Sequence, residues 1–345
     1  MPDSADQTLM FAEAGEAAAA VARMIDANRD TLRTLAAHLR ATPPAVVVTC
    51  ARGSSDHAAT FGKYLIETMV GVPVASAAPS VVSIYDAAVK TPTAPLCIAI
   101  SQSGRSPDLL ATVAAQKAAG AHVVALVNDT TSPLAEAADT LVPLMAGPEK
   151  SVAATKSYIT ALAAQALLVA EWADDAKLRE AVDRLPARLA EAWSLDWSEV
   201  VDMLVDANNL FVIGRGLGFG IAQEAALKLK ETCALHAEAF SAAEVRHGPM
   251  AIVNEGFPLI AFATSDTAGD GVREAAAEFA GRGARVALAD ARANGDSHPP
   301  ALTDHSAIEP ILSIQSFYRM ANALSVARGL DPDAPLHLSK VTRTL

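Results

Sequence analysis

Leu96-Cys97-Ile98-Ala99-Ile100 runs without a polar interruption into Ser101-Gln102-Ser103-Gly104-Arg105-Ser106, and this junction decides the fold. A short, uncharged apolar run bounded by turn residues is a strand buried on both faces. The polar turn after it feeds a helix to Ala119, Gly120 caps that helix, and His122–Val127 is a second buried strand. Upstream, Pro43 and Pro44 end a helical stretch from about Gln7 to Arg40, because proline cannot continue a helix. Ala45–Thr49 is then a strand, and Arg52-Gly53-Ser54-Ser55 turns into a helix through about Val70. A βαβαβ rhythm at this spacing predicts a parallel sheet covered by helices.

The pattern recurs. Asn209–Ile213 is followed by Gly214-Arg215-Gly216 and a long helix; Leu259–Ala263 by a polar turn and a helix ending near Gly283; Arg285–Ala289 is the next strand. Arg52-Gly53 matches Arg215-Gly216, and Gly120-Ala121 matches Gly283-Ala284, both at an offset of 163. Glu67-Thr68 matches Glu231-Thr232 with one extra residue. The fold class is therefore α/β, with two tandem homologous domains, each a parallel sheet flanked by helices. The expected boundaries are an N-terminal helical segment at 1–40, a first domain at 41–172, a helical linker at 173–202, a second domain at 203–330 and a C-terminal tail at 331–345.

Composition narrows the function. Of 345 residues, 51% are hydrophobic and 19% charged, which leaves ample material for a core and excludes a disordered or fibrous chain. With 27 Lys and Arg against 39 Asp and Glu, the formal charge of −12 repels nucleic acid. Cys50, Cys97 and Cys233 are far apart and lie in apolar or helical stretches, as buried free thiols in a reducing compartment would. Neither CxxC nor HxxxH spacing is present, so no metal is expected. The acidic N-terminus lacks the basic region of a signal peptide, and no uncharged stretch of about 18 apolar residues suggests a membrane span. A cytoplasmic protein without membrane partners is the expectation.

Ligands of open parallel sheets bind where strand ends meet helix N-termini. The Ser101–Ser106 turn offers three hydroxyls, an amide and a row of backbone N–H groups at a helix start, an arrangement suited to phosphate. Any one of these serines is explained equally well as a turn former or helix cap; the group of them is not. No GxGxxG or P-loop lysine accompanies the turn, so a nucleotide is not indicated. Arg52–Ser55 is a weaker turn of the same type. In the second copy the matching turn, Ala263-Thr264-Ser265-Asp266, carries a carboxylate that would repel phosphate. That copy instead carries Glu224, Lys228 and Glu231 at i, i+4 and i+7 of a helix. Such a stripe is usually a solvated face, but His236, Glu238, Glu244 and His247-Gly248-Pro249 follow closely, and carboxylates with imidazoles suggest proton transfer. His38, His122, His298 and His305 have no such company.

Taken in order, these motifs resemble sugar isomerase (SIS) domain proteins, above all the isomerase half of glucosamine-6-phosphate synthase and its stand-alone relatives. The resemblance covers nearly the whole chain. It rests on Arg52–Ser55, Ser101–Gly104, Ala146–Glu149 with Val152–Lys156, Ala226–Glu231, His236–Ala239, His247–Pro249 and Asp331–Lys340. It implies that Gly53, Ser54, Ser55, Ser101, Gln102, Ser103 and Ser106 surround the sugar phosphate and that Val152 meets the sugar through its backbone. Glu231 would move a proton between C1 and C2, with Lys228 beside it. His247, from a neighbouring subunit, would open the sugar ring, and Lys340 on the tail closing over the site would meet the carbonyl. A homodimer with shared active sites and no cofactor follows from the same likeness.

The start Met1-Pro2-Asp3 departs from the synthase, whose glutaminase domain begins with a nucleophilic cysteine. The loop form Gly104-Arg105-Ser106-Pro107 is closer to the stand-alone deaminases. The resemblance thus points to glucosamine 6-phosphate and water giving fructose 6-phosphate and ammonia. Alternatives are another phosphosugar aldose–ketose isomerase, a deglycase acting on an amino-acid conjugate, ammonia-dependent synthesis in reverse, or a non-enzymatic sugar-phosphate sensor. A sensor would keep the serine loop without needing Glu231, His247 and Lys340 together.

Overall fold

The computed structural model describes residues 4–90 and 93–340; the expectations that fall on Met1-Pro2-Asp3 and on 341–345 lie outside them. The chain opens with α1 (Leu9–Gly15) and α2 (Ala17–Ala41). Then come β1 (Val47–Cys50), α3 (Ser54–Met69), β2 (Val74–Ser76), α4 (Pro79–Ser83), β3 (Leu96–Ser101), α5 (Pro107–Ala118), β4 (His122–Val127), α6 (Pro133–Ala137) and β5 (Thr140–Pro143). Three helices follow, α7 (Lys156–Trp172), α8 (Ala176–Ser194) and α9 (Ser198–Leu204). The last part holds β6 (Asn209–Gly214), α10 (Phe219–Cys233), β7 (His236–Ser241), β8 (Pro258–Ala263), α11 (Thr267–Gly281), β9 (Arg285–Asp290) and α12 (Glu309–Ala327). Among the described residues, no helix is long and apolar enough to cross a membrane.

The chain divides into two compact units. One comprises Ala19–Pro148 and Thr160–Asp183; the other takes the chain up to Ala18, Glu149–Ile159 and Arg184–Lys340. The first holds an all-parallel sheet in the order β2-β1-β3-β4-β5. Every residue of β3 is buried, which is why its sequence is a continuous apolar run rather than an alternating one. Val48, Cys97, Ala99, Val123, Ala125 and Val127 pack against Leu109 and Val113 of α5. Each valine or leucine among them contributes about 1.5–3 kcal/mol when fully buried.

The second unit repeats the arrangement as β7-β6-β8-β9, again all parallel. Ile213, Leu259 and Ala261 pack on Val272, Ala275 and Phe279 of α11. The duplication is conformational as well as textual. Gly53 and Gly216 both have left-handed backbones, at φ +54° and +56°, and so do Gly120 and Gly283, at +90° and +84°. Only glycine takes such angles freely, so the repeated glycines mark repeated turns. In both sheets the strand order reverses beside the first strand of its copy. The crevice at that reversal, between β1 and β3 and between β6 and β8, is the place where such folds bind ligands.

Three strands escape the sequence pattern: β2, β5 and β7. All lie at sheet edges, where one face stays partly open and the apolar run is lost. His236 and Glu238, which sequence spacing groups with the proton-transfer residues, are exposed positions on β7.

Candidate functional site

In the first unit the turns after β1 and β3 flank the sheet's switch point. β3 ends at Ser101, whose Oγ accepts the Gly104 N–H at 2.9 Å and folds the loop back on itself. Gly104 has φ +63°, and a Cβ there would sit 2.2 Å from Ser132 Oγ and 2.9 Å from Val127 Cγ2. Both backbone and space therefore demand glycine. Ser106 is the N-cap of α5, yet its side chain makes no capping bond, and Pro107 fills the next position. The side chains of Gln102, Ser103 and Ser106 are partly exposed and hydrogen-bond to no described residue; the same holds for Ser54 and Ser55 at the start of α3 behind Gly53. Arg52 ties the two turns together: its Nε and Nη2 lie 2.9 and 2.6 Å from Asp108 Oδ2 in the first turn of α5. Arg105 turns outward to Asp129 at 2.8 Å. The Thr131 hydroxyl, then Arg105, hold that carboxyl down at about 2. The result is a helix start ringed by uncommitted hydroxyls, which favours an anion through both hydrogen bonding and the helix dipole.

The second copy closes the same position with its own carboxylates. Asp266 caps α11 by accepting from the amides of Ala268 and Gly269 at 3.1 and 3.2 Å, and Thr264 donates to it at 2.6 Å. The Ser265 amide donates to buried Glu309 at 2.7 Å. The loop of the second copy is thus filled from within.

That unit instead carries a buried charge cluster on α10. Lys228 Nζ lies 3.5 Å from Glu224 and also contacts Glu231; the Lys228, Glu224 and Glu231 side chains are 1%, 0% and 23% exposed respectively. The stripe is not a solvated face. Tyr318 of α12, itself buried, donates to Glu224 at 3.0 Å. Burial alone would depress the Lys228 ammonium, but Glu224 and then Glu231 outweigh it and raise its pKa above the ordinary lysine value. Lys228 is therefore a fixed cation, and Glu231 is the member of the trio that reaches solvent.

The loop Glu149–Lys156 and the tail complete this unit. Glu149 is fully buried and accepts from the Thr155 and Ser157 amides at 2.9 and 3.2 Å and from the Ser157 hydroxyl at 2.6 Å. Lys340 donates to the Ser151 carbonyl at 2.7 Å and stands 3.7 Å from Glu149. The Val152 amide donates to the Asp333 carbonyl at 3.1 Å. The Asp333 carboxylate in turn accepts from the amides of Leu9 and Met10 at 2.7 Å each. Glu13 holds the Lys150 and Ser151 amides. Glu231 opens onto a cavity of about 440 Å³ whose wall includes Lys230, Asp331, Pro335 and His337. The structure thus brings Glu231 and Lys228 together on α10, and Lys340 together with the Val152 loop. His247 stands apart from these contacts, exposed on a corner after β7, and its ring hydrogen-bonds to no described residue. Glu13, Asp333 and His337 carry no role in the sequence reading: the partners of Glu13 and Asp333 are remote in the chain, and His337 is one unmarked position within the Asp331–Lys340 tail. Among the described residues, no three His, Cys, Asp or Glu side chains gather as metal ligands would.

The SIS domain model matches residues 45–170 and 203–294. The glutamine–fructose-6-phosphate aminotransferase (isomerizing) of Symbiobacterium thermophilum is 34% identical over 326 residues, which cover 88% of this chain and 52% of that protein. The chain spans about half the length of the curated relatives it matches. A Silicibacter pomeroyi protein assigned as a phosphosugar isomerase is 43% identical with a TM-score of 0.87, the match covering 94% of this chain and 100% of that one. The C-terminal domain of the Francisella tularensis glucosamine-fructose-6-phosphate aminotransferase is 26% identical with a TM-score of 0.83, covering 95% and 98%. The two matched segments contain the two parallel sheets and their switch-point turns, and the chain belongs to the SIS domain family.

Proposed function

We propose that the chain is an amino-sugar phosphate isomerase and deaminase that converts glucosamine 6-phosphate and water to fructose 6-phosphate and ammonia. The observation that carries the reading is the α10 cluster, a glutamate at the edge of solvent backed by a buried lysine paired with two carboxylates. A base that abstracts a proton next to a carbonyl needs a neighbour that stabilises it without competing for the proton. Lys228 meets that need, because the adjacent carboxylates keep it protonated.

In this mechanism His247, supplied by a second copy of the chain, opens the sugar ring and exposes C1 as an aldehyde. Glu231 removes the proton at C2 as the C1 oxygen gains one, giving an enolamine, and returns its proton at C1 as the nitrogen loses one, leaving an imine at C2. Water hydrolyses the imine. Gln102, Ser103 and Ser106, with Ser55, hold the phosphate, so binding far from the reacting carbons fixes their position. Support for that assignment comes from their uncommitted side chains at the α5 N-terminus. Lys340 on the tail meets the carbonyl end of the open chain. The names of the relatives, aminotransferase and phosphosugar isomerase, are consistent with this substrate class.

Glu231→Gln tests the reading. The variant should bind phosphosugar with near wild-type affinity and fail to exchange the C2 deuterium of labelled glucosamine 6-phosphate with solvent. Loss of the base should cost about 10²–10⁴-fold or more. Exchange at the wild-type rate would place the base elsewhere, with Glu149 and Glu238 the next carboxylates to replace.

A further inference from the structure

Deamination needs one more acid–base step than isomerisation, because water must be deprotonated as it attacks C2 and the nitrogen must be protonated as it leaves. On the reading above, Glu231 has already cycled the C2-to-C1 proton and is ion-paired to Lys228, which is itself buried between Glu224 and Glu231. The cavity that Glu231 opens onto contains few other candidates. Lys230 donates to the Ala237 carbonyl at 3.1 Å, the Thr232 hydroxyl to the Lys228 carbonyl at 2.8 Å, and Asp331 accepts the Asp333 amide at 2.9 Å. The remaining titratable group on the wall is His337, an exposed imidazole that hydrogen-bonds to no described residue.

The tail holds the backbone that carries that imidazole. It is pinned on one side by Asp333, through the Leu9 and Met10 amides and the Val152 N–H, and on the other by Lys340 on the Ser151 carbonyl. Between the pins, the Leu338 amide donates back to the Pro335 carbonyl at 3.4 Å, closing a turn in which His337 takes φ +66°. A turn of this kind normally places glycine or asparagine there. A histidine in left-handed backbone is uncommon, and such outliers persist where the surroundings hold them.

We propose, resting on the deaminase reading, that His337 is the acid–base group of imine hydrolysis. Its neutral imidazole takes a proton from water as the water oxygen bonds to C2 and the C=N electrons move to nitrogen. The imidazolium returns that proton to nitrogen, giving a carbinolamine. The imidazole then takes the carbinol O–H proton as the C2=O bond forms and the C2–N bond breaks. The same proton goes to the leaving nitrogen, so ammonia departs and the imidazole ends neutral.

His337→Asn is the test, because asparagine accepts the left-handed turn while lacking a titratable nitrogen. His337→Gln serves as a second variant in case the turn responds to asparagine. With C2-deuterated glucosamine 6-phosphate, both variants should wash out label at a rate within about threefold of wild type. Both should release ammonia about 100-fold more slowly, and added imidazole should restore part of that release. Ammonia release within about threefold of wild type, or parallel loss of wash-out and release, would overturn the role of His337. Wild-type protein that washes out label without releasing ammonia would overturn the deaminase reading itself, and the proposal with it.

Discussion

Replacing Lys228 by methionine removes the ammonium and keeps most of the aliphatic volume. Glu224, whose side chain is 0% exposed, would then face the Tyr318 hydroxyl with its neighbouring cation gone. Breaking a buried ion pair from one side typically costs about 3–5 kcal/mol, because the remaining charge keeps its desolvation penalty. The contact to Glu231 adds little to this sum, since that carboxylate is 23% exposed and partly screened. Lys228→Met should therefore lose about 3–5 kcal/mol. In Glu224→Gln/Lys228→Met both charges are gone and the Gln carbonyl can still accept from Tyr318, so at least about 2 kcal/mol should return. Urea unfolding followed by tryptophan emission is the assay, since Trp193 and Trp197 both lie in the unit that holds Lys228. The sign of the pH dependence is also fixed. The folded-state pKa of Lys228 lies above its ordinary value, so its contribution is whole below about pH 10.4 and fades only as pH rises further. A Lys228→Met protein within about 1 kcal/mol of wild type, or a double variant no more stable than the single one, would refute the buried-pair argument. Neither variant should turn over substrate, which separates the stability of the cluster from its chemistry.

Two further expectations concern the anion loop. Ser103→Ala should raise KM about tenfold with a smaller effect on kcat, since a hydrogen bond to a charged group contributes about 1.5–3 kcal/mol; an unchanged KM would remove the phosphate assignment. Gly104→Ala should destabilise by about 2–4 kcal/mol, from the left-handed backbone together with the clash on Ser132, and a variant with wild-type urea midpoint and KM would contradict the tightness of this turn.

The strands β3, β4, β6 and β8 were legible because each is buried along nearly its whole length, and burial on both faces leaves an uninterrupted apolar run. The edge strands lack that signature: β9 is still read from its apolar centre, β2 and β5 are not, and β7 even alternates exposed His236 and Glu238 with more buried alanines. The duplication was legible through glycines, because a left-handed turn restricts the residue type as well as the shape. The α10 stripe was legible as spacing but not as burial. A solvated row of charges and a buried one have the same periodicity, and here the difference is made by Tyr318, 94 residues further along the chain. Asp333 capping Leu9 and Met10 is beyond local pattern for the same reason, since the two ends of that contact are more than 320 residues apart.

The two copies put the same glutamate to different use. Glu67 of α3 and Glu231 of α10 occupy matching positions after the first turn of each copy. Glu67 accepts the Val74 amide at 2.8 Å, and Lys63 donates to the Val74 carbonyl at 3.0 Å, so both side chains fasten the edge strand β2 to its helix. In the second copy Lys230 takes over the fastening, through the Ala237 carbonyl of β7. Glu231 is thereby released from a structural bond and turns to Lys228. The exchange runs the other way at the helix N-termini, where the first copy leaves Ser106 uncapped and the second fills its turn with Asp266. A duplicated domain has two of every position but needs only one to hold the fold together. Each copy has kept structural bonds where the other has opened a group, so on the proposed function anion binding and proton transfer fall to different copies of one ancestral plan.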